Sequence, residues 1–264
     1  MSDLTTDRAV EALGPAVDRF RTMLLAFPDH GARPVPGSKW SVSEVAMHVL
    51  SGFRSYRDRA LGGPPMWNAF ATSARDNDEL ITSMPERELT DIAAALPPAA
   101  QQFADACSAR GDSMVPWHEE TSIPGYAFAG LGVGEVLVHG RDVAKALGVG
   151  WKIDRRDATL VSAAVIEVVR YFVDERAAAG YSATYELRLR GGPRYTLAFA
   201  DGVLTIDAQP ANHADCRIIA DPEAFLLVGY GRTALWRPII TGRMLAWGRR
   251  PWLALRLPGL LRNP

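Results

Sequence analysis

Glu135-Val136-Leu137-Val138-His139-Gly140-Arg141-Asp142 sets a carboxylate and an imidazole four positions apart in an otherwise apolar run. On a helix, that spacing puts both on one face, with roughly 5–6 Å between their Cβ atoms. Two ligands of one metal ion fit that geometry, and so does a plain buried ion pair. The helix expected here covers about 131–147 and stops at Gly148, a glycine in the C′ position.

Upstream, Ser41-Val42-Ser43-Glu44 is a capping box, and Trp40 and Val45 occupy the two positions of a hydrophobic staple. The helix that starts there runs to about Ala60 and carries His48 in its second turn, on the apolar side. Residues 3–28 hold apolar positions at steps of three and four, which predicts an amphipathic helix, and the Pro-rich segment 28–38 predicts a loop. Leu61-Gly62-Gly63-Pro64-Pro65-Met66 breaks the pattern, with helical pieces expected around 68–83. A third long helix is expected over 86–110, kinked or split at Pro97-Pro98. Residues 111–130 read as irregular. Four long helices joined by loops make an antiparallel bundle.

Downstream the pattern changes. Asp154 to Ala179 reads as one more amphipathic helix. After Gly180 the apolar period becomes two: Thr184–Arg190 alternates, Gly191-Gly192 turns, Tyr195, Leu197 and Phe199 share a face, and Asp201-Gly202 turns again before Val203. Cys216–Ala220 is a further strand, and Asp221-Pro222-Glu223 starts a helix with Asp as N-cap and Pro at N1. The tail, 236–264, is apolar with scattered arginines, and its elements do not resolve by pattern. The fold class expected is α+β: a helical domain over 1–150 and a smaller α+β domain over 151–264.

A chain of 264 residues is comfortable as two domains, and its 48% apolar and 22% charged residues are those of an ordinary globular protein. The net charge of −1, with no basic stretch interleaved with aromatics evident, speaks against nucleic acid or an anionic membrane as partner. Cys107 and Cys216 stand far apart in no metal or redox spacing, which fits a reducing compartment. The first residues are acidic and polar rather than signal-like, and no run reaches the roughly 20 apolar residues of a bilayer span. The expectation is a cytoplasmic protein. Basic residues are almost all arginine, an association with GC-rich genomes such as those of actinobacteria.

Chemistry concentrates in His48, Glu135 and His139. Helix bundles build metal sites by projecting such residues inward from different helices. Two imidazoles and a carboxylate are the donor set of a catalytic zinc site with an open position, and the same set accepts nickel or iron. A satisfied core histidine beside a Glu–His ion pair accounts for the same residues. His30, His118 and His213 have no ligand-spaced neighbours and read as surface or packing residues, with the alternative that His118 reaches a site from the 111–130 loop.

Gly37-Ser38-Lys39-Trp40-Ser41-Val42-Ser43-Glu44-Val45-Ala46-Met47-His48 resembles the G-W-S/T-V-x-x-V-x-x-H segment of DinB-like metal-binding four-helix bundles. Residues 135–148 resemble the E-x-x-x-H-G-x-D-I/V-A-x-A-L/T-G segment of the mycothiol-dependent maleylpyruvate isomerase family. Lys39 stands as an insertion before Trp40 and is expected to have no consequence. More loosely, Asp221–Gly229 with Gly242 and Gly248 is similar to sterol-carrier-like C-terminal domains.

The resemblance implies a divalent metal, typically zinc, held by His48, Glu135 and His139, with mycothiol as thiol cosubstrate. It implies thiol addition to an activated double bond, ending in cis–trans isomerisation or in S-transfer. Asp142 reads either as a carboxylate orienting the His139 ring or as a salt-bridge partner of Arg141 or Lys145. In the C-terminal domain Arg232, Arg237, Arg243 and Arg249 are candidates for an anionic group, with Arg232 and Arg243 carried forward as cofactor-binding residues. A carrier for an apolar molecule, its metal structural or absent, is the alternative. Trp236, Trp247 and Trp252 would then line a pocket, and otherwise they read as core.

Overall fold

The computed structural model describes residues 4–65, 72–118 and 121–262. The chain forms two compact units, Ser2–Ile153 and Asp154–Pro264.

The first unit is a bundle of four long helices, α1 (Thr6–Ala26), α2 (Val42–Ala60), α4 (Leu89–Arg110) and α5 (Gly125–Leu147), with a shorter α3 (Ser73–Ser83) against α2. Helices α1 and α2 each pack on both α4 and α5, so the ring runs α1, α4, α2, α5. Helix α1 starts where the Thr5 side chain accepts from Arg8 N–H, and it buries Ala9, Leu13, Val17, Phe20 and Leu24. The capping box at α2 is complete: Ser41 Oγ accepts from Glu44 N–H at 3.3 Å, and Glu44 Oε2 accepts from Ser41 N–H at 2.7 Å. Such a cap is worth about 1 kcal/mol and sets the angle at which the chain enters the helix.

Of the two alternatives for Pro97 and Pro98 the split is absent: α4 is continuous through both. One expectation for this unit is corrected. Residues 111–130 are not irregular: β1 (Met114–Pro116) and β2 (Ser122–Pro124) form a small antiparallel hairpin, and α5 begins directly after it at Gly125. The expected break at 61–66 and helical stretch 68–83 fall partly outside the described residues.

The second unit holds a five-stranded sheet in the order β5-β4-β3-β6-β7. Its strands are β3 (Ala183–Leu189), β4 (Arg194–Ala200), β5 (Val203–Asp207), β6 (Cys216–Ala220) and β7 (Met244–Trp247). Strands β3, β4 and β5 are the expected meander. Asp201 (φ 50°) and Gly202 (φ 86°) make its second turn with both central residues left-handed, the requirement of a two-residue hairpin. Strand β6 pairs with β3 in parallel, and β7 closes the far edge antiparallel to β6. Alternation buries Tyr185, Leu187, Tyr195, Leu197, Phe199 and Ile218.

Helix α6 (Arg155–Val168) packs on α8 (Pro222–Gly229). The single helix expected over 154–179 is instead three pieces: α6, a 3-10 turn over Val169–Phe172, and α7 (Glu175–Ala178). Asp174 starts the last piece by accepting from the N–H groups of Arg176 and Ala177. In the tail, α9 (Trp236–Ile240), β7 and α10 (Leu253–Arg256) leave Trp236, Trp247 and Trp252 45% exposed or more, so these indoles are not core.

Candidate metal centre

His48 is on α2, and Glu135 and His139 are on α5, the helix beside it. Glu135 Oε2 lies 3.2 Å from His48 Nε2 and 3.4 Å from His139 Nε2. The two imidazole rings are perpendicular, at 85°, with centroids 4.8 Å apart. His48 is 6% exposed, and Glu135 and His139 are nearly as enclosed. The pattern therefore brings all three residues together across about ninety positions of sequence.

Two observations test whether these residues fit a metal ion. A tetrahedral centre with bonds of about 2.0–2.1 Å has edges of about 3.3–3.4 Å between its ligand atoms; two of the three edges here are 3.2 and 3.4 Å, and all three ligand atoms lie within 4.8 Å of one another. Among the described residues, no well-directed hydrogen bond reaches the buried Glu135 Oε2, although two nitrogens converge on it. Two imidazole nitrogens that crowd one carboxylate oxygen suit a shared cation as they suit an ion pair. The donor set, two nitrogens and one oxygen, suits zinc, nickel or iron.

The same contacts set the charges of these groups. Burial alone would push the Glu135 carboxyl up, but the His139 and His48 imidazoles hold it well below the usual carboxylate range. It is therefore ionised at neutral pH. Burial would lower the pKa of His139, but Asp142 and Glu135 outweigh it and raise that imidazole to about 8. Asp142 Oδ2 stands 3.5 Å from His139 Nδ1, at the outer edge of hydrogen-bond reach, on the side of the ring away from Glu135.

The surroundings hold two features that pattern reading misses. The Trp40 indole lies against the His48 ring, with centroids 4.9 Å apart, and its Nε1 donates to Asp78 Oδ1 of α3 at 2.9 Å. Lys39, expected to have no consequence, pairs with Asp78 Oδ2. Gly140 has Trp151 against it: a Cβ there would meet the indole at 2.3 Å. Trp151 Nε1 donates to Leu137 O at 2.9 Å, and the Arg19 guanidinium stacks on the ring at 3.8 Å. The sequence marks Trp40 as a staple residue and as part of the motif that ends at His48, but not as a wall of the site, and no local signal marks Asp78 or Trp151.

The remaining candidates stand elsewhere. Arg232 and Arg243 belong to the C-terminal unit. Arg243 binds Asp221, the N-cap of α8, and Glu223 at 2.7 Å, and Arg232 Nη1 donates to Tyr230 O at 2.7 Å. Arg249 pairs with Asp215, and Arg237 lies over the Trp236 ring. His30 and His213 are exposed, and His118 is buried beside Trp117, the packing alternative of the expectation. Cys107 and Cys216 are both buried free thiols, and burial pushes the Cys107 thiol up to about 12.

Fold and site define a two-unit protein that joins a helical bundle, carrying a His–Glu–His cluster, to a mixed α/β unit. The chain belongs to the family described as the mycothiol maleylpyruvate isomerase N-terminal domain, whose model matches residues 5–144. A second model, the SCP-2 sterol transfer family, matches residues 172–248. The crystal structure of the mycothiol-dependent maleylpyruvate isomerase is similar over 91% of this chain and 92% of its own, at 11% identity and a TM-score of 0.53. A histidine-to-alanine mutant of that isomerase matches over the same shares, at 9% identity and the same TM-score. At these identities the likeness is one of fold. No curated protein matches in sequence.

Proposed function

We propose that this protein is a metal-dependent enzyme using a small-molecule thiol, mycothiol by family, to isomerise or thiolate a substrate with an activated double bond. The observation that carries this reading is the convergence of His48 Nε2 and His139 Nε2 on Glu135 Oε2, at 3.2 and 3.4 Å, in a group whose three ligand atoms all lie within 4.8 Å of one another. A divalent ion there, zinc by the family resemblance, would lower the pKa of a bound thiol and polarise a substrate carbonyl.

The chain's own residues do the rest. His48, Glu135 and His139 supply three donors and leave a coordination position open. Asp142 orients the His139 ring through Nδ1, and Trp40 walls the site beside His48. Neither cysteine is a competing nucleophile, because burial keeps both thiols protonated. The thiol must therefore come from outside the chain. The match of residues 172–248 to the SCP-2 family favours a second reading, a carrier of an apolar molecule.

One experiment separates the two. The purified protein is analysed for metal, then incubated with zinc, mycothiol and a panel of cis-enones, and the products are read by mass spectrometry and ultraviolet absorbance. One equivalent of divalent metal and a thiol-dependent isomer or adduct are expected, both lost in His48→Ala and His139→Ala. Full turnover in both variants would sink the metal-centred reading.

A further inference from the structure

The C-terminal 41 residues have a composition unlike the rest of the chain. After Glu223 there is no Asp or Glu, yet seven arginines follow, from Arg232 to Arg262, leaving 22 basic against 30 acidic residues elsewhere. Three of the chain's seven tryptophans are here as well. A segment this apolar would ordinarily be core. Instead, Trp236, Ile240, Leu245, Trp247, Trp252 and Leu255 are exposed at 56, 72, 49, 45, 62 and 62%. The overall charge of −1 hides this strip, a basic stretch interleaved with aromatics where none was expected.

These side chains follow one edge of the sheet. Strand β7 is the outermost strand, beyond β6. Leu245 and Trp247 are two residues apart on it and share a face. Helix α9 leads into β7 and packs on it, and α10 follows and packs on β6. Arg243 and Arg249 are engaged by acidic residues of the same unit, while Arg237, Arg250 and Arg262 are exposed along the strip.

We propose that this edge docks on an anionic lipid surface. Indole rings with aliphatic neighbours and arginines suit the boundary between headgroups and acyl chains: the rings seat at the interface while guanidinium groups meet lipid phosphate. Spanning is not required, and no helix among the described residues is long and apolar enough to cross a membrane. Charge disfavours a second copy as the occupant, since a two-fold contact would set arginines against arginines with no carboxylate in the strip. Exposed Ile239, Ile240, Leu245 and Leu255 disfavour nucleic acid, whose charged backbone offers aliphatic side chains far less apolar surface than acyl chains do.

The test uses the full chain with vesicles of phosphatidylglycerol or of phosphatidylcholine. Co-sedimentation several-fold greater with phosphatidylglycerol is expected, falling as salt rises, and reduced by Arg237→Glu with Arg250→Glu. The unmodified protein gives a second readout: vesicles with brominated acyl chains quench its tryptophan emission. Equal sedimentation with both lipids, absence of quenching, or a stable dimer that buries the strip would each overturn the proposal.

Discussion

His139 meets Glu135 through one ring nitrogen and Asp142 through the other, and this double contact sets how the site responds to pH. Its pKa is about 8, above the ordinary histidine value. Without metal, the protonated ring therefore adds stability that is complete below about pH 6.5 and is lost as pH rises through about 8. A metal ion needs the neutral ring, so proton and metal compete. Zinc affinity is expected to fall by up to about tenfold per pH unit below pH 8, measured by competition with a chromophoric chelator. Asp142→Asn should flatten that profile, and an unchanged slope would show that Asp142 does not tune the ring. At this scale the three donors are legible because each sits in a motif with helical spacing. Asp78 and Lys39 are not, because their meeting with each other and with Trp40 is made by the packing of α3 rather than by any period in the chain.

Helix α5 shows how packing overrides propensity. Gly125, Gly130, Gly132 and Gly134 crowd its first half, and on propensity alone that stretch reads as loop. In the bundle two of these glycines are close approaches. A Cβ at Gly125 would stand 2.0 Å from Gly111 O, and one at Gly132 would stand 2.3 Å from the Phe103 ring. The early start of α5, ahead of the expected 131, has its cause there. By contrast, the start of α2 and the end of α5 are legible because a capping box and a C′ glycine are local chemistry. Gly140 belongs to the first kind. Gly140→Ala is expected to displace Trp151, destabilise the bundle by about 1–3 kcal/mol and weaken metal binding at the neighbouring His139. Urea unfolding followed by indole fluorescence measures the first effect. A variant as stable as the parent would mean that Trp151 moves aside freely.

Across the whole molecule, the two units have separate cores, and the candidate metal centre lies in one of them. Their order is legible from the change of apolar period near Gly180. The tail is not, because its pieces α9, β7 and α10 are four or five residues long, too short for periodicity to declare them. Ligand that binds only the folded state raises stability by about 2.7 kcal/mol at a hundred times its dissociation constant. Chelation is therefore expected to lower the unfolding transition of Ser2–Ile153 in differential scanning calorimetry and to leave that of Asp154–Pro264 in place. Equal movement of both transitions would contradict independent units.

The donors come from helices far apart in the chain, and this orders events on the ribosome. His48 is made first; Glu135 and His139 come about ninety residues later. At 5–20 residues per second, that interval is about 5–18 s. During it the nascent chain offers only one of the three donors of the site, and a single imidazole holds a metal ion only weakly. If the site holds an ion, its selection is thus deferred until α5 emerges and closes the bundle, so the ion would be chosen by a finished helical unit rather than by a growing one.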